Sequence, residues 1–122
     1  MDLHNKVAVV TGGGSGLGRA AAQALVDGGA TVVIIDMNAE ACAKAVAELG
    51  AEKANFIQLD VSSGPDVEAA FNKIKADLGR VDICVNCAGI GIAVKTIDRE
   101  GQPHDLDLDR KVIEVNLIGT FN

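Results

Sequence analysis

Tyrosine and tryptophan are missing from this 122-residue sequence, and phenylalanine occurs only three times. With 48% of residues hydrophobic, the core has to be built mainly from Val, Ile, Leu and Ala, which favours a buried parallel sheet covered by alanine-rich helices. Basic runs are missing too, and the formal net charge is -6. The electrostatic footprint of a nucleic-acid or anionic-membrane binder is therefore absent, and neither partner is expected. After the polar start MDLHNK, the first apolar run is VAVV, far too short for a signal peptide or a membrane span. Three cysteines at irregular spacing offer no disulfide framework and point to free thiols in a reducing, cytoplasmic setting.

A chain of this length makes one domain, burying roughly two-thirds of the surface its unfolded form would expose. Strand and helix signals alternate along it. Lys6 to Thr11 (KVAVVT) is a β-branched run ended by glycines, and Leu17 to Asp27 is helical in character and closed by Gly28 and Gly29. Thr31 to Asp36 (TVVIID) repeats the strand, and Ala39 to Leu49 the helix, with Asn38 as its expected cap and Gly50 as its stop. A third strand is expected at Asn55 to Leu59. Ser63 and Asp66 then form a capping-box pattern that opens a helix running to Leu78 and Gly79. Val81 to Asn86 supplies a fourth strand, and Asp105 caps a last helix after an irregular stretch from Cys87 to His104.

The strands are nearly continuous in apolar residues, as strands covered on both faces are. Such alternation with right-handed crossovers predicts an α/β protein with a Rossmann-like, doubly wound parallel sheet. Residues 1–122 are read as one domain, expected to be incomplete at its C-terminal end. Two features carry that expectation: VNLIGTFN reads as the middle of a helix, and the fourth strand would leave an apolar edge unpaired.

At the junction of the first strand and first helix lies Thr11-Gly12-Gly13-Gly14-Ser15-Gly16-Leu17-Gly18. A helix start offers unpaired N–H groups and the positive end of a dipole, equivalent to about half a charge, so a pyrophosphate is its natural guest. Glycines allow the tight turn and the close approach of backbone to phosphate, and the last of them lets helix and strand pack. The fingerprint G-x-G-x-x-G does not fit in frame from Gly12, because Leu17 takes its final place. The loop reads T-G-x-x-x-G-x-G. Asp36 ends the second strand about where a carboxylate meets the adenosine ribose, which it would bind through the hydroxyls while repelling a 2′-phosphate. Met37 and Ser15 carry no charge to neutralise such a phosphate, although Arg19 lies near in sequence. NAD is expected over NADP. At the end of the third strand, Asp60 can accept from the adenine amino group and the backbone of Val61 can reach its ring nitrogen; a plain turn into the next helix reads equally well.

Other patterns have plainer readings. Cys84 and Cys87, three apart on a strand, point to opposite faces, and zinc would need more ligands than Cys42, His4 and His104 offer. Cys84 is read as a buried small hydrophobe and Cys87 as a backbone contact. No metal is expected. Asp105 to Arg110 (DLDLDR) is a helix start rich in acids, which the dipole favours.

Together with VNCAG (Val85 to Gly89) and the Asn116 of VNLIGTFN, the glycine loop, Asp36 and Asp60-Val61 resemble the short-chain dehydrogenase/reductase family. Asn86-Cys87-Ala88-Gly89 is similar to its N-N-A-G motif, with cysteine in the second place. The segments GRVDICVNCAGIGIAVKT, GQPHDL and VNLIGTFN look most like the members that oxidise 3-hydroxyacyl-CoA thioesters and some steroid alcohols. The resemblance implies that Ser15 and Leu17 meet the pyrophosphate region, with Gly12, Gly16 and Gly18 beside them in the cofactor-binding loop, that Cys87, Ala88 and Gly89 run past the cofactor ribose, and that Asn86, also counted among the cofactor-binding residues, helps lock the sheet. It implies further that Asn116 positions a water in the proton relay of a catalytic tetrad. The remaining tetrad members, a serine and a Tyr-x-x-x-Lys pair, have no counterpart in this sequence, so the segment alone is expected not to turn over. The expected function of the complete protein is hydride transfer between NAD and a secondary alcohol or ketone, as a homo-oligomer. The alternatives are a non-catalytic dinucleotide sensor and a truncated assembly subunit.

Overall fold

The computed structural model describes residues 1–122. Four parallel strands, β1 (Val7–Thr11), β2 (Thr31–Asp36), β3 (Ala54–Gln58) and β4 (Ile83–Asn86), form one sheet in the order β3-β2-β1-β4. Helices α1 (Gly16–Asp27), α2 (Ala39–Leu49) and α3 (Gly64–Leu78) connect them, and α4 (Leu106–Ile113) follows β4. This is the expected Rossmann-like arrangement. Strand and helix bounds fall within two residues of those read from the sequence, the largest shift being the start of β4 at Ile83 instead of Val81.

Alternation along the strands divides the core into two layers. Ala8, Val10, Val32 and Ile34 face α1 and α2 and pack with Ala22, Cys42, Ala45 and Leu49. From the other face, Val7, Val9, Val33 and Ile35 pack with Ala70 and Ile74 of α3, with Val61, and with Val115 of the last helix. Every residue of β1 is buried, because β1 is central and covered on both sides. β4 has only one neighbour and alternates half-buried with exposed positions. Cys84 is exposed there, not buried as the sequence implied: it shares the α3 face with its register partner Val9, but on the edge strand it lines an open hollow with Val67, Phe71 and Phe121.

The ends of the helices follow local chemistry. Asn38 accepts a hydrogen bond from the amide of Ala41 and Asp105 one from Asp107, so both cap as expected. Ser63 does not. It sits at the N-cap of α3 but its hydroxyl makes no cap bond; its amide instead closes a turn onto the carbonyl of Asp60. The last helix is also not regular. Between α4 and a final turn α5 (Gly119–Phe121), residues Glu114–Ile118 form a π-helical turn containing Asn116. Such turns are rare and often mark functional positions. No helix is long and apolar enough to cross a membrane.

Candidate functional site

Because β2 and β3 lie on one side of β1 and β4 on the other, the chain reverses direction across the sheet between β1 and β4. A crevice opens there at the carboxyl ends of the strands. The structure has a cleft of about 410 Å³ at that point. Gly12, Ser15, Gly16, Leu17 and Gly18 form one wall, Cys87, Ala88 and Gly89 the facing one, and Asp36, Asp60 and Val61 close the side toward β3. Eleven of the twelve residues expected to bind cofactor thus meet in one cavity. Asn86 is not among them. As the last residue of β4 it pairs with Thr11 in the sheet and lines a separate hollow below, beside Phe121 and Asn122.

The glycine wall is built by close approach. A Cβ on Gly18 would lie 2.2 Å from the carbonyl oxygen of Gly12, so α1 can leave β1 at this angle only with glycine there. Gly12 has φ +65°, and a Cβ on it would sit 2.7 Å from the amide nitrogen of Ala88. The two walls therefore touch backbone to backbone. Thr11, buried at the end of β1, joins them: its hydroxyl accepts from the amides of Cys87 at 3.2 Å and Ala88 at 3.1 Å. Sequence reasoning quoted Thr11 as the first letter of the loop and gave it no role.

Electrostatically, α1 differs from the other long helices. Ser15 at its N-cap makes no side-chain cap bond, and its first turn carries no acid. In contrast, α2, α3 and α4 have Glu40, Asp66, and Asp107 with Asp109 in that place. The positive end of α1 is therefore left for an anion in the cleft. One step outward, Asp36 is held by the amide of Gly14 on Oδ2 and that of Asn38 on Oδ1, both at 3.1 Å. Each oxygen keeps a lone pair for a ligand hydroxyl. No Lys, Arg or His lines the cleft, and Arg19 is engaged by Glu48 of α2.

Asp60 is acceptor-only at neutral pH. The hydroxyl of Ser62 at 2.7 Å, its amide at 2.9 Å and the Lys111 ammonium at 3.2 Å hold its carboxyl below the usual carboxylate range. The side chain of Asn116 grips the main chain of Ile90, accepting from its N–H at 2.8 Å and donating to its carbonyl at 2.9 Å. The backbone carbonyl of Asn116 accepts from Thr120. Asn116 thus stands behind the cleft and supports the Gly89–Ile90 wall. Apolar lining from Ile35, Leu59, Ile90 and Val115 escaped the sequence reading, although each is next to a residue that was chosen; Met37, noted there only as an uncharged neighbour of Asp36, lines the cleft as well. His4 and His104 lie elsewhere, each against an aspartate, Asp2 and Asp109 respectively. No three His, Cys, Asp or Glu side chains meet as a metal site would require.

The short chain dehydrogenase family profile matches residues 6–122. The chain belongs to that family. Among curated proteins it is similar to 3-hydroxyacyl-CoA dehydrogenase type-2 of Homo sapiens, with 48% identity over 120 residues, 95% of this chain and 44% of the relative. The protein of the same name from Drosophila melanogaster is 43% identical over 98% of this chain and 47% of its own length. Among solved structures, a short chain dehydrogenase from Bacillus anthracis superposes with a TM-score of 0.84 at 28% identity, covering 98% of this chain and 47% of that one. The chain spans about half the length of these relatives.

Proposed function

We propose that the cleft binds NAD and that the complete protein is an NAD-dependent oxidoreductase acting on a secondary alcohol or ketone. The observation that carries this reading is the join of an uncapped, acid-free helix start to a fixed carboxylate, Asp36, in a cleft without a cation. The amides at the start of α1 take the pyrophosphate; Asp36 accepts from the ribose hydroxyls and repels a 2′-phosphate; Arg19, tied to Glu48, is held from relieving that repulsion. When bound, the nicotinamide accepts or donates the hydride. Cys87, Ala88 and Gly89 shape the wall past which the dinucleotide runs, and Asn116 holds that wall through Ile90. The identity to 3-hydroxyacyl-CoA dehydrogenases type-2 supports a 3-hydroxyacyl thioester as the substrate. Ile113, Leu117 and Phe121, four residues apart and 53%, 60% and 88% exposed, present an apolar stripe that supports assembly of the complete protein with a second copy.

A titration against NAD and NADP tests the cofactor reading. The protein is expected to prefer NAD by at least about tenfold, and Asp36→Ala to remove most of that preference, since a charge-assisted hydrogen bond and a like-charge repulsion are lost together. An unchanged ratio would show that Asp36 does not face the ribose. Turnover of a 3-hydroxyacyl-CoA by the complete protein, set against a simple secondary alcohol, tests the substrate. NAD binding without any turnover there would favour a sensor.

A further inference from the structure

Beyond the local turn that Ser62 makes with Asp60, Asp60 and Val61 are held by the last helical segment. Lys111 donates to Asp60 Oδ2 across 51 residues of chain, and Asn122 donates to the carbonyl of Val61 at 2.9 Å. Between these two anchors, Val115 packs with Val61 in the core. Gly119 comes so near that a Cβ there would lie 2.6 Å from Val61 Cγ2. The same helix grips Ile90 through Asn116, so it braces both sides of the cleft.

Sheet order tells what lies over Asp60. If the pyrophosphate sits at the end of β1 and the ribose at the end of β2, the next group outward, the adenine, comes to the end of β3. Asp60 is there. Its Oδ1 is already occupied by the amide and hydroxyl of Ser62, which leaves Oδ2 to face an incoming donor. Only Lys111 fixes that second oxygen, and one bond to it leaves a lone pair free.

We propose that Lys111 is a positioning residue, which orients the Asp60 carboxylate to accept from the 6-amino group of adenine and so makes the last helix part of the cofactor site. This rests on the cleft being a dinucleotide site. The side chain of Lys111 is 46% exposed, so its replacement leaves the core intact, and an effect on binding reports on Asp60 itself.

The experiment compares the unsubstituted protein, Lys111→Met and Lys111→Arg in titrations against NAD and nicotinamide hypoxanthine dinucleotide, in which a carbonyl replaces the 6-amino group. The unsubstituted protein is expected to favour NAD by about tenfold, the worth of one hydrogen bond to a charged acceptor. Lys111→Met should reduce that preference to about threefold or less, chiefly by weakening NAD, and Lys111→Arg should keep it. A full preference in Lys111→Met, or equal weakening of both ligands, would overturn the role of Lys111. No preference in the unsubstituted protein would remove Asp60 from the adenine. Failure to bind either dinucleotide would overturn the reading of the cleft, and the proposal with it.

Discussion

Replacing Gly18 by alanine sets two effects of opposite sign against each other. Alanine in a helix is favoured over glycine by about 1 kcal/mol, because it loses less backbone entropy on folding. At this position the added methyl would lie 2.2 Å from the Gly12 carbonyl oxygen, 2.7 Å from its carbon and 3.1 Å from the Gly13 Cα. All three are main-chain atoms of the loop that turns into α1, so relief requires moving the helix or the loop. Overpacking of this kind costs about 3 kcal/mol. The clash therefore wins by about 2 kcal/mol, or about 8 °C in Tm for a domain of this size. Binding should suffer more than stability, since in the proposed reading the displaced loop supplies the amides for phosphate. Gly91→Ala is the control: no atom lies within 4 Å of its missing Cβ, and its Tm should hold or rise slightly. Thermal melting with and without NAD reads both terms. A Gly18→Ala protein that melts no lower and binds NAD as tightly would refute the close-approach argument.

Thiol chemistry should separate Cys42 from Cys87. Burial, helped by the charge of Asp36, pushes the Cys42 thiol up to about 11, so it should label only after unfolding, whereas Cys87 should label in the native protein and be slowed by NAD because it lines the cleft. Protection of Cys42 and not Cys87 would misplace the cofactor. Acid should weaken the fold through Asp60, held low by Ser62 and Lys111, and Asp82, held low by Arg80 and the amide of Val7. Folded-state values below the unfolded ones mean that stability is present above about pH 4 and lost as pH falls through the folded values. Asp82→Asn should therefore flatten the decline of Tm between about pH 5 and 3, and an unchanged slope would refute the assignment. Asn116→Asp keeps the acceptor for the Ile90 amide but turns a carboxylate toward the Ile90 carbonyl, where an amide donor now sits 2.9 Å away. It should lower NAD affinity about tenfold, more than Asn116→Ala does; the reverse order would show that the side chain does not brace this wall.

Most of the fold was legible because β1 and β2 are runs of β-branched residues and several helix ends carry a residue with one clear local role, such as Asn38 or Gly79. The site was legible for the same reason: glycine positions and strand-end acids carry their geometry in their identity. What escaped depends on distant partners. Ser63 looked like a capping residue, but Asp60 had already organised the turn before it. Cys84 looked buried by composition, but its exposure is decided by which strand lies at the sheet edge. The π turn at Asn116 and the links from Lys111 and Asn122 to the end of β3 have no local signature at all.

Those distant links also explain why the cleft can be a rigid receptor although loops form it. Four strand ends meet there, and each is tied to another element. Thr11 holds the amides that follow β4, Gly14 in the β1–α1 loop holds Asp36 at the end of β2, Lys111 holds Asp60 after β3, and Asn116 holds Ile90. Loops so cross-linked lose little further freedom when a ligand arrives, and each side chain left unordered would instead subtract about 0.5–1.5 kcal/mol from binding. The polar links therefore act less by their own net strength, about 1 kcal/mol apiece, than by having spent the ordering entropy during folding. Breaking any one of them should weaken dinucleotide binding by more than it lowers the melting temperature.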